Sequence, residues 1–333
     1  MKASFIRETG PPETIQYDDL PDPTPVGNEV LVKTGAVAVN PIDTYIRNGS
    51  PLGKLPQTYI VGSDIAGEVV EIGAGVSKFK IGDRVWGSNQ GFMGRQGTFA
   101  ELCSINQGWL YPLPDSVSYE DSAAAALVGL TAHLGLFREA KLQAGESVFV
   151  QGGSGGVGST VVQMAKAVGA AVITTAGSDA KVEICRNLGA DHVINYQSED
   201  VAEAIQSLLP QGADVVWETQ RQPDMDLLVG ALAERGRLIV MAGREARPQF
   251  PIGPFYIKEA KMIGFVMFKA SQEVQAAAAA GINSMLASDL LHPLIDHVLP
   301  LSEAAQAHRL QEESTVGLSG KLSGKLVLTP EPA

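Results

Sequence analysis

The chain has 333 residues, 45% hydrophobic and 19% charged, with a mean hydropathy of +0.07 and a formal charge of −12. That length exceeds one ordinary core and suggests two domains, and the acidity argues against the basic stripe a nucleic-acid surface needs. Two cysteines, Cys103 and Cys185, make no disulfide scaffold, and no apolar run forms a signal peptide or reaches the ~18 residues of a membrane span, so a cytoplasmic protein is expected.

Residues 1–125 are rich in proline, glycine and β-branched types. EVLVKTGAVAVN (29–40) and IAGEVVEIG (65–73) read as strands, GDRVWG (82–87) as a turn into another, and GTFAEL (97–102) continues the pattern. Short strands with turn signals predict a compact, partly open β-barrel.

Residues 126–268 alternate strand and helix. The strands are ESVFVQ, AVITTA, HVINY, DVVWET, RLIVMAG and KMIGFVMF (261–268). Between them fall a helix burying Val161, Val162, Met164, Ala165 and Val168, then KVEICRNLGA, EDVAEAIQSLL and DMDLLVGALAERG. Such alternation implies right-handed crossovers and a parallel, doubly wound α/β sheet of order 3-2-1-4-5-6. Residues 269–333 add a long alanine-rich helix, a proline-broken strand and a last strand, GKLVLTP. This tail is too small to fold alone and is expected to return to the barrel.

Five glycines crowd positions 152–158, and Gly153, Gly155 and Gly158 satisfy G-x-G-x-x-G between a strand and a helix. That context reads as a dinucleotide site. The glycines allow a tight turn, close approach of a pyrophosphate and close helix packing, while N–H groups at the helix start face the phosphates. The candidate contacts are Gly153, Ser154, Gly155, Gly156, Val157 and Gly158. NAD sites usually end the next strand in an acid that bonds the ribose. Here the place is held by Ala176, Gly177 and Ser178, with Lys181 following. This favours NADPH, with Lys181 either attracting a 2′-phosphate or standing solvated on a helix turn. Asp179 is the nearest acid that a register shift would bring in.

The chain resembles the medium-chain dehydrogenase/reductase superfamily, in its zinc-free quinone oxidoreductase (ζ-crystallin-like) branch. The resemblance runs nearly the whole length, through NPIDTYIRNG (40–49), GSDIAGEVVEIGAGV (62–76), LVGLTAHLGL (127–136), GGSGGVG (152–158), LGADHVINY (188–196) and the closing GKLVLTP. It implies a Rossmann domain inserted into a GroES-like barrel domain. Zinc-dependent relatives carry Cys where Asn40 stands and Gly-His-Glu where Gly62-Ser63-Asp64 stand. They also have a four-cysteine structural site, where this chain has only Cys103. No zinc is therefore expected.

The resemblance places Asn40, Asp43 and Tyr45 beside the nicotinamide and substrate. Asn40 is expected to donate to a developing oxyanion, Tyr45 to do likewise or wall the site, and Asp43 to hold its own loop. Thr131 corresponds to a threonine near the nicotinamide amide, or bonds back along its helix. Tyr196 is expected near the adenosine phosphate, Gly243, Arg244 and Phe268 near the nicotinamide half, and Lys325 beside the cofactor. Trp217 and Thr315 depart from the family pattern, Thr315 at a site where some relatives have arginine. The expected activity is hydride transfer from NADPH to a quinone, or to an enone or alkenal. A third alternative is a low-turnover cofactor-binding structural or RNA-binding protein. The resemblance implies a homodimer, with the apolar edge strand KMIGFVMF pairing across a two-fold axis.

Overall fold

The computed structural model describes residues 1–49 and 55–331. The chain divides into two compact units: Met1–Val128, Ala270–Ala287 and Ile295–Ala333 form one, and Gly129–Lys269 with Ser288–Leu294 the other. Among the described residues no helix is long and apolar enough to cross a membrane.

The first unit opens with β1 (Lys2–Ile6), β2 (Gln16–Asp19), β3 (Glu29–Val39), α1 (Pro41–Arg47), β4 (Tyr59–Ile60), β5 (Ile65–Ile72), β6 (Arg84–Gly87), β7 (Leu102–Asn106) and β8 (Leu110–Pro112). β3 is the organising strand. It pairs antiparallel with both β5 and β7, and its long run of Val and Ala is almost wholly buried. The strand expected at 97–102 begins only at Leu102. Before it, the Thr98 and Phe99 N–H groups both donate to Val61 O, at 3.0 and 2.9 Å, so this stretch is bound as a loop instead.

The second unit follows α2 (Tyr119–His133), which straddles the division. Its elements are β9 (Ser147–Val150), α3 (Gly156–Ala167), β10 (Ala171–Ala176), α4 (Asp179–Asn187), β11 (His192–Asn195), α5 (Val201–Leu208), β12 (Ala213–Glu218), α6 (Met225–Gly230), β13 (Leu232–Val240), α7 (Ile252–Ile257) and β14 (Lys261–Gly264). The sheet order is β11-β10-β9-β12-β13-β14, parallel throughout, which is 3-2-1-4-5-6 as expected. Caps fix the helix starts: the side chains of Ser178, Asp200 and Asp224 accept the N–H groups of Lys181, Glu203 and Leu227. Phe149, Ile173, Val216 and Leu238 carry the sheet side of a core closed by Ile205 and Leu228.

Two elements are shorter than their patterns. The helix expected through Gly236 stops at Gly230, because Leu232 pairs with Ala213 and is drawn into the core on β13. Tertiary pairing overrides helix periodicity there. The sixth strand stops at Gly264, where Phe265 turns edge-on to the buried Trp217, with ring centroids 6.4 Å apart. Trp217 also lies against Gly135 and is a core residue.

The return segment supplies α8 (Gln272–Ala287), β15 (Ile295–Pro300), α9 (Ala304–Thr315) and β16 (Lys325–Thr329). β16 pairs with β15 and, antiparallel, with β3, so the tail completes the first unit's main sheet. In α9, His308 is fully buried against Phe99 with neither ring nitrogen partnered. Burial, aided by the nearby Arg47 charge, pushes its pKa from 6.5 down to about 3. Between those values the unfolded chain binds a proton that the folded chain refuses, so stability falls as pH drops through that window. His308→Phe should remove this loss. Denaturant unfolding at pH 7.5 and 4.5 should show the variant gaining up to ~3 kcal/mol on wild type at the lower pH. Equal acid sensitivity would refute it.

Candidate active site

In the second unit, the turn after β9 is built on glycine for two separate reasons. Gly152 has φ +81°, a conformation that side chains disfavour. A Cβ on Gly158 would run into the Gly152 carbonyl, so only glycine lets the first turn of α3 lie against the loop. The tight turn is thus made by Gly152, one residue before the fingerprint. Gly152 N–H donates to Thr175 Oγ1 at 2.9 Å and Gly153 N–H to Thr175 O at 3.1 Å, which ties the loop to β10. Ser154 is buried, and Gly155, Gly156 and Val157 are partly exposed at the start of α3. The first N–H groups of a helix have no intrahelical acceptor and its N-terminus favours anions. The loop stands between β10 and β12, where the strand order reverses, the usual position of a dinucleotide.

The ends of β10 and β11 bring together Gly177, Ser178, Lys181 and Tyr196. Gly177 has the Tyr196 hydroxyl against it, so a side chain there would displace the ring. Ser178 caps α4 through the Lys181 N–H at 3.3 Å. Asp179 accepts from Asn195 Nδ2 at 2.9 Å, which pins the acid to β11. Ala176 remains the strand-end residue and is buried. After β13, Gly243 has φ +72° and faces Arg221 O, Arg244 is exposed, and Phe268 is half-buried on a short helical turn. Thr131 is buried in α2. Thr315 donates to Gln311 O at 2.7 Å, back along its own helix.

Asn40 and Lys325 meet inside the first unit. Asn40 ends β3 and caps α1, with its N–H donating to Asp43 Oδ2 at 2.8 Å. The other Asp43 oxygen accepts the Ser63 hydroxyl at 2.6 Å, so Asp43 holds its loop. Lys325 Nζ donates to Val39 O at 2.6 Å and to Asn40 Oδ1. Asn40 Nδ2 donates to Asp64 Oδ2 at 2.7 Å, and the Ser88 hydroxyl to Asp64 Oδ1 at 2.6 Å. All these side chains are buried. Burial raises the pKa of Asp64 and lowers that of Lys325, and each opposes the shift in the other. The donors around Asp64 favour its carboxylate, and the Asn40 amide links it to Lys325. Asp43 is pushed up to about 7, mainly by burial, with Asp64 adding to the shift.

This arrangement differs from what the sequence suggests for Asn40 and Lys325. The Asn40 amide is enclosed, with Nδ2 turned to Asp64 and, at 3.4 Å, to Ala38 O, instead of presenting a donor to an oxyanion. Lys325 is enclosed with it. Tyr45 is half-buried on α1 and keeps the exposure a substrate contact requires. Sequence reasoning missed Asp64 and Ser88 as the partners that orient Asn40. The signal was the polar Ser63-Asp64 pair opening a strand otherwise apolar at its start.

Zinc needs at least three converging nitrogen, sulfur or carboxylate donors, and among the described residues no group of three His, Cys, Asp or Glu converges. An ammonium stands against Asn40 instead. Lys325→Met should leave Asp64 buried without its cation and cost ~3–5 kcal/mol in denaturant unfolding. Adding Asp64→Asn should recover part of that loss. Additive costs would show that the two charges are not coupled.

Residues 27–115 match the alcohol dehydrogenase GroES-like domain, and residues 156–283 match the family described as zinc-binding dehydrogenase. A quinone oxidoreductase of Rattus norvegicus is 34% identical over 98% of this chain and 97% of its own length. A structure described as an NAD-dependent alcohol dehydrogenase superposes with a TM-score of 0.90 at 30% identity, over 99% of this chain and all of its own. The Escherichia coli quinone oxidoreductase complexed with NADPH gives 0.86 at 27% identity, over 99% of this chain and all of its own. This extent of likeness, together with a glycine-turned parallel sheet and a GroES-like unit, shows that the chain belongs to the medium-chain dehydrogenase/reductase superfamily, in its quinone oxidoreductase branch.

Proposed function

We propose that this protein is an NADPH-dependent quinone reductase that works without a metal. The observation that carries the reading is the Lys325 ammonium lodged between Val39 and Asn40, beside Asp64, where converging donors would have to hold a cation. With no Lewis acid, the substrate must accept hydride easily, and a quinone does so because the incoming charge delocalises. A reduced nicotinamide, when bound, supplies the hydride. The glycine loop and the start of α3 bind the diphosphate, and Tyr45 donates to the substrate oxygen. Asn40 acts through α1, fixing the helix that carries Tyr45.

NADPH is favoured over NADH by Lys181 and Tyr196 at the ends of β10 and β11 and by an acid held away on Asn195. Lys181→Ala should raise KM for NADPH about tenfold, the loss of one charge-assisted bond. KM for NADH should change far less, as read by steady-state absorbance at 340 nm. Equal changes for both would remove the 2′-phosphate assignment. NADPH oxidation should be fastest with 1,2-naphthoquinone and 1,4-benzoquinone and slower with a simple alkenal. Cofactor binding without turnover on any of them would defeat the enzymatic reading.

We further infer a homodimer. β14 is an edge strand with Met262 exposed, flanked by exposed Val266 and by Ile252, Tyr256 and Ile257 of α7. An apolar edge of this kind invites pairing with a second copy. Light scattering should report a dimer at micromolar concentration, and Met262→Lys should shift it to monomer. A monomeric wild type would refute the assignment.

A further inference from the structure

We propose that Thr175 and Thr219 are positioning residues for the cofactor diphosphate: their hydroxyls hold the peptide plane between Gln151 and Gly152 at both ends and so set the start of α3 before any cofactor binds. This rests on the nucleotide reading above and names what shapes the glycine turn.

β9 ends at Val150, just short of that plane. The plane offers the carbonyl of Gln151 and the N–H of Gly152. Thr219 stands immediately after β12, and its Oγ1 donates to Gln151 O at 2.6 Å. Thr175 lies on β10, and its Oγ1 accepts the Gly152 N–H at 2.9 Å. β10 and β12 flank β9, so the two hydroxyls grip the plane from both sides of the point where the strand order reverses. Thr174 Oγ1 donates to Val150 O at 2.7 Å, which extends the grip back by one residue.

Any rotation of this plane passes directly to α3. Gly152 O accepts the Gly155 N–H at 3.2 Å, and a Cβ on Gly158 would stand 2.1 Å from the same oxygen. Gly152 has φ +81°, and a glycine-rich turn has little stiffness of its own. The stiffness has to come from neighbours, and the threonine hydroxyls are the neighbours bonded to the plane.

Packing alone does not call for these hydroxyls. Thr175 is 1% exposed between β9 and β11, where valine would fill the space with no polar group to bury. Its hydroxyl is bonded to the turn instead. Thr219 is half-buried and spends its proton on the turn as well. A binding loop fixed in advance loses less freedom when its ligand arrives, and affinity gains accordingly. No covalent step is assigned to either residue.

The test measures binding by calorimetry with NADPH, NADH and adenosine 2′-phosphate, which carries no diphosphate. In Thr175→Val and in Thr219→Val, Kd for NADPH and for NADH should rise by the same factor, about tenfold. Kd for adenosine 2′-phosphate should move by less than about twofold. Thr175→Ser and Thr219→Ser keep the hydroxyl and should restore the affinity for both dinucleotides. An equal loss on all three ligands is what general distortion of the domain would give, and it overturns the proposal. So does wild-type affinity in both valine variants, or failure of serine to rescue. Amide exchange in wild type isotopically labelled at glycine tests the grip without any variant. In the cofactor-free protein the Gly152 and Gly153 N–H groups should exchange as slowly as the amides of β9, and rapid exchange at Gly152 overturns the proposal. Binding of NADPH without turnover of any quinone would fail the functional reading alone, because none of these measurements needs a substrate.

Discussion

A buried ammonium joins the two ends of this chain. Lys325 stands at the start of the last strand and Asn40 at the end of the third, and the amide between Lys325 and Asp64 satisfies both charges at once. Removing two charges from water is costly, and only a complete set of partners offsets it. Val39 O, Ser88 and the Asn40 amide supply that set. The direction of α1, and therefore the place of Tyr45, follows from how Asn40 is held.

Both units bury polar side chains within apolar sheets. The parallel sheet is nearly continuous apolar strand, with Thr174, Thr175 and Glu218 enclosed on it. In the GroES-like unit Asn40, Asp43, Ser63, Asp64, Ser88, Asn89, Gln90 and Thr98 are all enclosed. A fully matched polar network rigidifies its surroundings, whereas an unmatched buried member costs stability. Asn40 and Asn89 stand at those two extremes. The first has every polar atom bonded, and the second has none on its side chain.

His308 shows that an unmatched group need not signal a ligand. It packs within a helix against an aromatic ring, and the nearby Arg47 has an unmatched Nη1 as well. Its expected consequence is sensitivity of the fold to acid.

The sequence alone determined the architecture of the nucleotide unit. Strand and helix periods, capping residues and the glycine run are local, and 3-2-1-4-5-6 follows from right-handed crossovers between them. It also determined that no acid ends the second strand, because Ala176 can be read at its position. Local pattern failed where distant pairing took over: α6 ends early because Leu232 joins β12, and the sixth strand ends early because Phe265 turns to Trp217. The states of Asn40 and Lys325 were decided only by tertiary structure. They lie 285 positions apart, and nothing in either neighbourhood reveals that β16 pairs with β3. A side chain's charge and hydrogen-bonding capacity are written in its residue type, but its partners depend on which strands the fold sets side by side.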